Sequence, residues 1–168
     1  MKLWSSCVIT IAASAAIYML PSQASAQDKT PDAGDIIPGN GLWYLVPTIL
    51  PQGARVTFVS GNPYLPQKCT VEFRMPDKYM LPPHTHPQRE SVVLKSGTLR
   101  VGLGKKIDRK QSVLLVAGDT ASTPAGVPHW SIAEGEVDLL VTNETGPMGI
   151  AYVNKRDEPG SHSFPNGY

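Results

Sequence analysis

Residues 78–97 read KYMLPPHTHPQRESVVLKSG, and the fold follows from how this stretch is spaced. His84 and His86 stand two apart, Glu90 follows four residues later, and Gly97 closes the stretch. In an extended strand, residues i and i+2 project to the same side, about 6.6–7 Å apart. The two imidazoles are thus expected on one face, close enough to converge on one ion with bonds near ~2.1 Å. Pro82, Pro83 and Pro87 hold the surrounding backbone extended and fix the aim of both rings. Glu90 shares parity with Val92 and Leu94, so its carboxylate faces the core if they do. A carboxylate in an apolar interior is costly unless a cation accompanies it.

Outward from this stretch the chain reads as short strands between Pro and Gly punctuation. Lys68 to Met75 alternates cleanly, with Cys69, Val71, Phe73 and Met75 on one face and Thr70, Glu72 and Arg74 on the other. Further strands are expected at Ala54–Ser60, Arg89–Lys95, Gly97–Leu103, Ser112–Val116, Asp119–Thr123, His129–Ala133, Val137–Asn143 and Ile150–Val153. Ser96-Gly97 predicts a hairpin joining Arg89–Lys95 to Gly97–Leu103, with Leu99, Val101 and Leu103 pointing inward. Leu42–Leu50 is a first strand or an arm against a neighbouring element. With no amphipathic helix to cover a sheet, the strands must bury their apolar faces against one another, which predicts an all-β sandwich or closed barrel. Edge strands in so small a barrel favour a homodimer.

A second stretch, Gly118 to Ala133 (GDTASTPAGVPHWSIA), supplies His129 behind the rigid turn Pro124-Ala125-Gly126. The chain has four histidines; three fall in this pattern and His162 lies near the C-terminus. An isolated His-x-His is commonly a surface or packed residue, but three of four histidines in one constellation point to a metal site. The expected ligands are His84, His86, Glu90 and His129. Three neutral imidazoles and one carboxylate leave a divalent ion at net +1 with open positions, unlike a closed structural site. Mixed nitrogen and oxygen donors suit Fe, Mn, Ni, Cu or Zn.

At 168 residues and 41% apolar content the chain is sized for one domain with a substantial core. Residues 1–26 carry a basic Lys2, an apolar run Val8–Leu20 and a small-x-small site Ala24-Ser25-Ala26, the layout of a secretory signal peptide. The 13-residue run is short of the ~20 residues a membrane anchor needs. Cys7 precedes the run, against a lipoprotein signal. The expected divisions are a signal peptide over 1–26, a flexible lead-in over 27–40, one domain over 41–153 and a mobile tail over 154–168. Cleavage removes Lys2, leaving 14 basic residues against 14 acidic ones. That balance offers no surface for nucleic acid, and after cleavage none for membrane. Cys69 is then the sole cysteine, expected as a small buried hydrophobe, and no internal disulfide can form. The location expected is periplasmic or secreted.

These two stretches resemble the paired motifs of the cupin superfamily. His84, His86, Glu90 and Gly97 match the first motif; Gly118, Pro124, Gly126 and His129 match the second, twenty residues on. Met148–Asn154 is similar to the ending of small exported bacterial single-domain cupins. The resemblance implies a double-stranded β-helix (jelly-roll) barrel with a short N-terminal arm and the ion inside. Two positions depart from it: Lys78 stands where the motif has Gly, and Ala133 where it has Asn. Neither is a ligand position in the family. Cupins span dioxygenases, isomerases, decarboxylases, storage proteins and sensors, so the resemblance does not name a reaction.

The leading expectation is a metal-dependent, dioxygenase-like enzyme acting on a small organic molecule. Glu90 would serve as ligand and, when its metal bond loosens, as a proton shuttle. Two alternatives are a metal-dependent isomerase or lyase and a non-catalytic metal- or ligand-binding sensor. Parity predicts an apolar pocket from Phe73, Val92, Leu94, Leu99 and Val101, with Ser131 and Ala133 nearby and Trp130 turned outward. Tyr79, Met80 and Arg89 are weaker candidates for its mouth.

Overall fold

Eleven strands run along the described residues: β1 (Tyr44–Leu45), β2 (Arg55–Ser60), β3 (Cys69–Met75), β4 (Met80–Thr85), β5 (Glu90–Ser96), β6 (Thr98–Leu103), β7 (Ser112–Val116), β8 (Thr120–Thr123), β9 (His129–Ala133), β10 (Val137–Asn143) and β11 (Ala151–Tyr152). This computed structural model describes residues 26–31, 34 and 36–159. The expected signal peptide up to residue 25, and His162, lie outside the described residues. One sheet has the order β1-β2-β3-β10-β5-β8 and the other β11-β4-β9-β6-β7, with antiparallel pairing throughout. The all-β jelly-roll expectation is met. No helix among the described residues is long and apolar enough to cross a membrane.

Period-2 alternation builds the interior. Val71 and Met75 on β3, Val92 and Leu94 on β5, Leu99 on β6, and Val137, Leu139 and Val141 on β10 are all buried. Burying each such side chain is worth about 1.5–3 kcal/mol. Phe73 packs partly buried against them, and Cys69 is buried and free as expected. The opposite faces carry directly facing polar pairs. Thr70 meets Thr142 at 2.9 Å and Arg74 meets Asp138 at 2.9 Å. Such pairs hold register, each contributing about 0.2–1 kcal/mol.

The expected hairpin at Ser96-Gly97 does not form: β5 pairs with β10 and β8, whereas β6 pairs with β7 and β9. Ser96-Gly97 is instead a corner where the chain leaves one sheet for the other. Gly97 has φ 81° there, and a Cβ would collide with the Glu136 carbonyl oxygen. The dipeptide signals a tight reversal of direction, but which strands then pair is decided by distant partners.

Strand β4 pairs with β9 through a bulge between Leu81 and His84. Pro82 and Pro83 lie in it, and since neither has an N–H to give a ladder, a bulge is where they can be accommodated. Of Leu42–Leu50, only Tyr44–Leu45 is strand; the rest is an arm, with Trp43 and Val46 buried. Residues Pro47–Pro51 form a strap fastened by two phenols: Tyr79 Oη donates to the Pro51 carbonyl at 2.6 Å and Tyr152 Oη to the Ile49 carbonyl at 2.9 Å. Over residues 26–31 the lead-in lies against the arm, with Leu45 N bonded to the Lys29 carbonyl at 3.0 Å. The described part of the tail carries a short 3-10 helix, Lys155–Asp157.

Candidate metal centre

The three histidines arrive from two adjoining strands. His84 on β4 and His129 on β9 face each other across the pair, and His86 follows just beyond β4. Glu90 opens β5 in the other sheet, so the cluster bridges the two sheets. Gly126, at φ 71°, closes the Pro-x-Gly turn and donates its N–H to the His86 carbonyl at 2.9 Å, joining the second motif to the first. Ring centroids of His84 and His129 are 4.2 Å apart, those of His84 and His86 4.8 Å, and those of His86 and His129 5.1 Å.

Backbone carbonyls orient each ring. His84 Nδ1 lies 2.6 Å from the Pro82 oxygen, His86 Nδ1 2.6 Å from the Gly149 oxygen, and His129 Nδ1 3.0 Å from the Val127 oxygen. A carbonyl only accepts, so this network assigns the proton to Nδ1 and leaves Nε2 with its lone pair in each neutral ring. The lone pairs converge. His84 Nε2 and His86 Nε2 are 3.1 Å apart, and His86 Nε2 lies 2.9 Å from Glu90 Oε2. His129 Nε2 is buried without a hydrogen-bond partner, 3.7 Å from Glu90 Oε1. Three acceptors and a carboxylate facing one point repel unless a cation lies among them.

Electrostatics agree with that reading. Burial, then the neighbouring His129, push His84 down to about 3, against the pull of the Pro82 carbonyl. Burial also lowers His86, but the hydrogen bond and charge of Glu90 outweigh it and the net shift is upward. For Glu90, burial acts to raise the acid, yet His129 and His86 hold it well below the usual carboxylate range. The donors also fit a divalent ion. Bonds of ~2.1 Å place adjacent donors about 3 Å apart, the spacing of the His84–His86 pair. All three imidazole donors lie within 4.8 Å of one another.

These four groups form part of the wall of a cavity of about 410 Å³ inside the barrel. Phe73, Val92, Leu99, Val101 and Ser131 line it as expected, whereas the expected Leu94 and Ala133 are packed in the wall without lining it. Leu103 is not a core residue. It is 67% exposed, because β6 ends there and the side chain emerges at the cavity mouth. Trp130, expected to turn outward, is only 1% exposed and lines the cavity, its ring occupying the space that a Cβ at Gly102 would fill. Of the mouth candidates, Tyr79 lines the cavity and ties down the strap, while Met80 and Arg89 are absent from the lining. Met80 pairs with Ile132, and Arg89 reaches Ser122 Oγ at 3.3 Å on the surface.

Sequence reasoning missed the three orienting carbonyls, which a strand pattern cannot show. It also missed Asn143, buried directly across from Glu90 with Oδ1 unpartnered. The alternation Val137, Leu139, Val141, Asn143 would have found it.

Residues 71–143 match the family model described as the cupin domain. No curated protein sequence matches the chain at a significant level. Among solved structures, a conserved protein of unknown function from Streptococcus pyogenes is 17% identical with a TM-score of 0.46, over 56% of this chain and 75% of that one. An oxalate oxidase is 24% identical with a TM-score of 0.48, over 64% of this chain and 58% of that one. Salicylate 1,2-dioxygenase from Pseudoaminobacter salicylatoxidans is 16% identical with a TM-score of 0.50, over 61% of this chain and 30% of that one. This chain therefore spans little more than half of the first enzyme and under a third of the second. Matching family model, two-sheet jelly roll and histidine cluster together, residues 71–143 form a cupin domain.

Proposed function

We propose that this chain is an exported, metal-dependent enzyme of the oxygenase type, in which His84, His86, Glu90 and His129 hold one divalent transition-metal ion beside a small organic substrate. The observation that carries this reading is the convergence of three unprotonated Nε2 positions and the Glu90 carboxylate on one point in the wall of an apolar cavity. An ion held there supplies a Lewis-acidic centre with open positions for a substrate oxygen and dioxygen.

The chain's own residues do the rest. The Pro82, Gly149 and Val127 carbonyls hold the rings in aim, and the apolar walls exclude water from the site. Glu90 Oε2, 2.9 Å from His86 Nε2, is the place where a proton can be held and passed on. Isomerase or lyase chemistry needs a free acid–base group beside the ligands. Among the described lining residues the other ionisable groups are Tyr64 and Tyr79, whose hydroxyls donate to the Pro31 and Pro51 carbonyls. Export is supported by the basic start, apolar run and small-x-small site of residues 1–26.

Metal analysis of the purified protein, followed by oxygen uptake with phenolic, thiol and sugar substrates, tests the reading. Uptake lost in His86→Ala is the expected result. Tight ligand binding without turnover, whichever redox-active ion is supplied, would make the protein a binding module instead.

A further inference from the structure

The barrel sorts its charges with unusual strictness. Basic side chains on the strands point outward and are engaged there: Arg74 with Asp138 at 2.9 Å, Lys95 with Glu72 at 2.7 Å, and Arg100 with Glu134 at 2.6 Å. Among the described residues lining the cavity there is no lysine and no arginine, and Glu90 is the one acidic residue. From the metal cluster the cavity runs inward. His129 faces Leu103 and Ala133 faces Leu99, so the Leu99 end lies four residues, about 13 Å, further along the barrel. Phe73, Met75 and Leu139 line that inner part. The mouth is apolar too, lined by Ile49, Leu103 and Val113, which are 53%, 67% and 61% exposed.

We propose that this site takes a molecule with one oxygen-donor head and an uncharged, apolar body, and rejects molecules that carry a second anionic group. The inference rests on the metal reading above. A divalent ion with Glu90 and three neutral imidazoles carries net +1, so one anionic oxygen brings the centre to neutrality. A second anion directed inward stays desolvated without a partner, and one directed toward the mouth finds no cation among the described residues lining the cavity. The volume, about 410 Å³ or roughly fourteen water volumes at ~30 Å³ each, fits a body of one or two rings. Exposed apolar side chains around an opening commonly mark a ligand's path, and here they need no separate partner.

The test compares benzoate with terephthalate, the same ring bearing one carboxylate or two, by titration calorimetry on metal-loaded full-length protein whose ion content is measured in each sample. Benzoate is expected to bind at least tenfold more tightly. Val113→Lys places a cation at an exposed position of the mouth, and is expected to raise the ratio of terephthalate to benzoate affinity severalfold. Equal or tighter terephthalate binding in ion-loaded wild type, or no binding of either probe, would overturn the substrate class alone. Samples that take up no ion would overturn the metal reading beneath it.

Discussion

Lys78 illustrates what one residue can reveal. It is the one non-glycine residue with positive φ among the described residues, at 64°, where the family motif has glycine. The turn needs that conformation, because Lys78 N bonds to the Ala133 carbonyl at 3.0 Å and Ala133 N returns to the Tyr79 carbonyl at 2.9 Å. The departure is therefore a glycine position filled by a strained lysine, away from the ligands. A left-handed L-residue costs about 1–2 kcal/mol, partly offset by the greater unfolded-state freedom of glycine. Lys78→Gly is expected to stabilise the protein by about 1 kcal/mol, raising Tm by roughly 2–4 °C in a thermal melt. The second residue-scale prediction concerns the metal-free cluster. The folded-state pKa of His86 is raised, so its contribution is full below about pH 6.5 and lost as pH rises through the folded value. That of Glu90 is depressed, so its contribution is present above about pH 4.3 and lost as pH falls through the folded value. His84, held down to about 3, costs stability as pH falls below about 6.5, so urea unfolding with chelator present should give greatest stability near pH 6.5, and Glu90→Gln should flatten the alkaline decline.

Among the elements, the local pattern and the global pairing part company. Alternation in Lys68–Met75 and Val137–Asn143 gave the buried faces of β3 and β10 directly, because parity is a property of the backbone itself. The ligand residues were legible for the same reason: strand parity brings His84 and His86 to one side, and Glu90 falls in step with Val92 and Leu94. The hairpin reading failed because β5 answers to β10, 42 to 53 residues on, and β6 to β9, 26 to 34 residues on, beyond what Ser96-Gly97 can encode. That corner is testable. Gly97→Ala forces a β-carbon into the Glu136 carbonyl at a positive-φ position and should cost at least about 2 kcal/mol in urea unfolding. The strap was equally illegible, since its fastening is a phenol meeting a carbonyl 28 residues distant. Tyr79→Phe leaves the buried Pro51 carbonyl without its donor and should cost about 1–3 kcal/mol. Hydrogen exchange should quicken at Leu50, whose amide bonds to the Pro47 carbonyl within the strap.

For the whole molecule, one arrangement links stability to function: two sheets held together at one end by a cluster that needs a cation. His84 and His129 come from one sheet and Glu90 from the other, so an ion among them would tie the sheets together. A ligand that binds only the folded state at a hundred times its Kd adds about 2.7 kcal/mol, or roughly 5–10 °C in Tm for a chain of this size. The direct measurement is titration of chelator-treated protein with Mn, Fe or Zn ions, by calorimetry and thermal melt together, beside His84→Ala and His129→Ala. The account predicts one ion per chain, a rise in Tm with ion concentration, and loss of both in either variant. No bound ion in the wild type, or ion-dependent stabilisation that survives both substitutions, would contradict it.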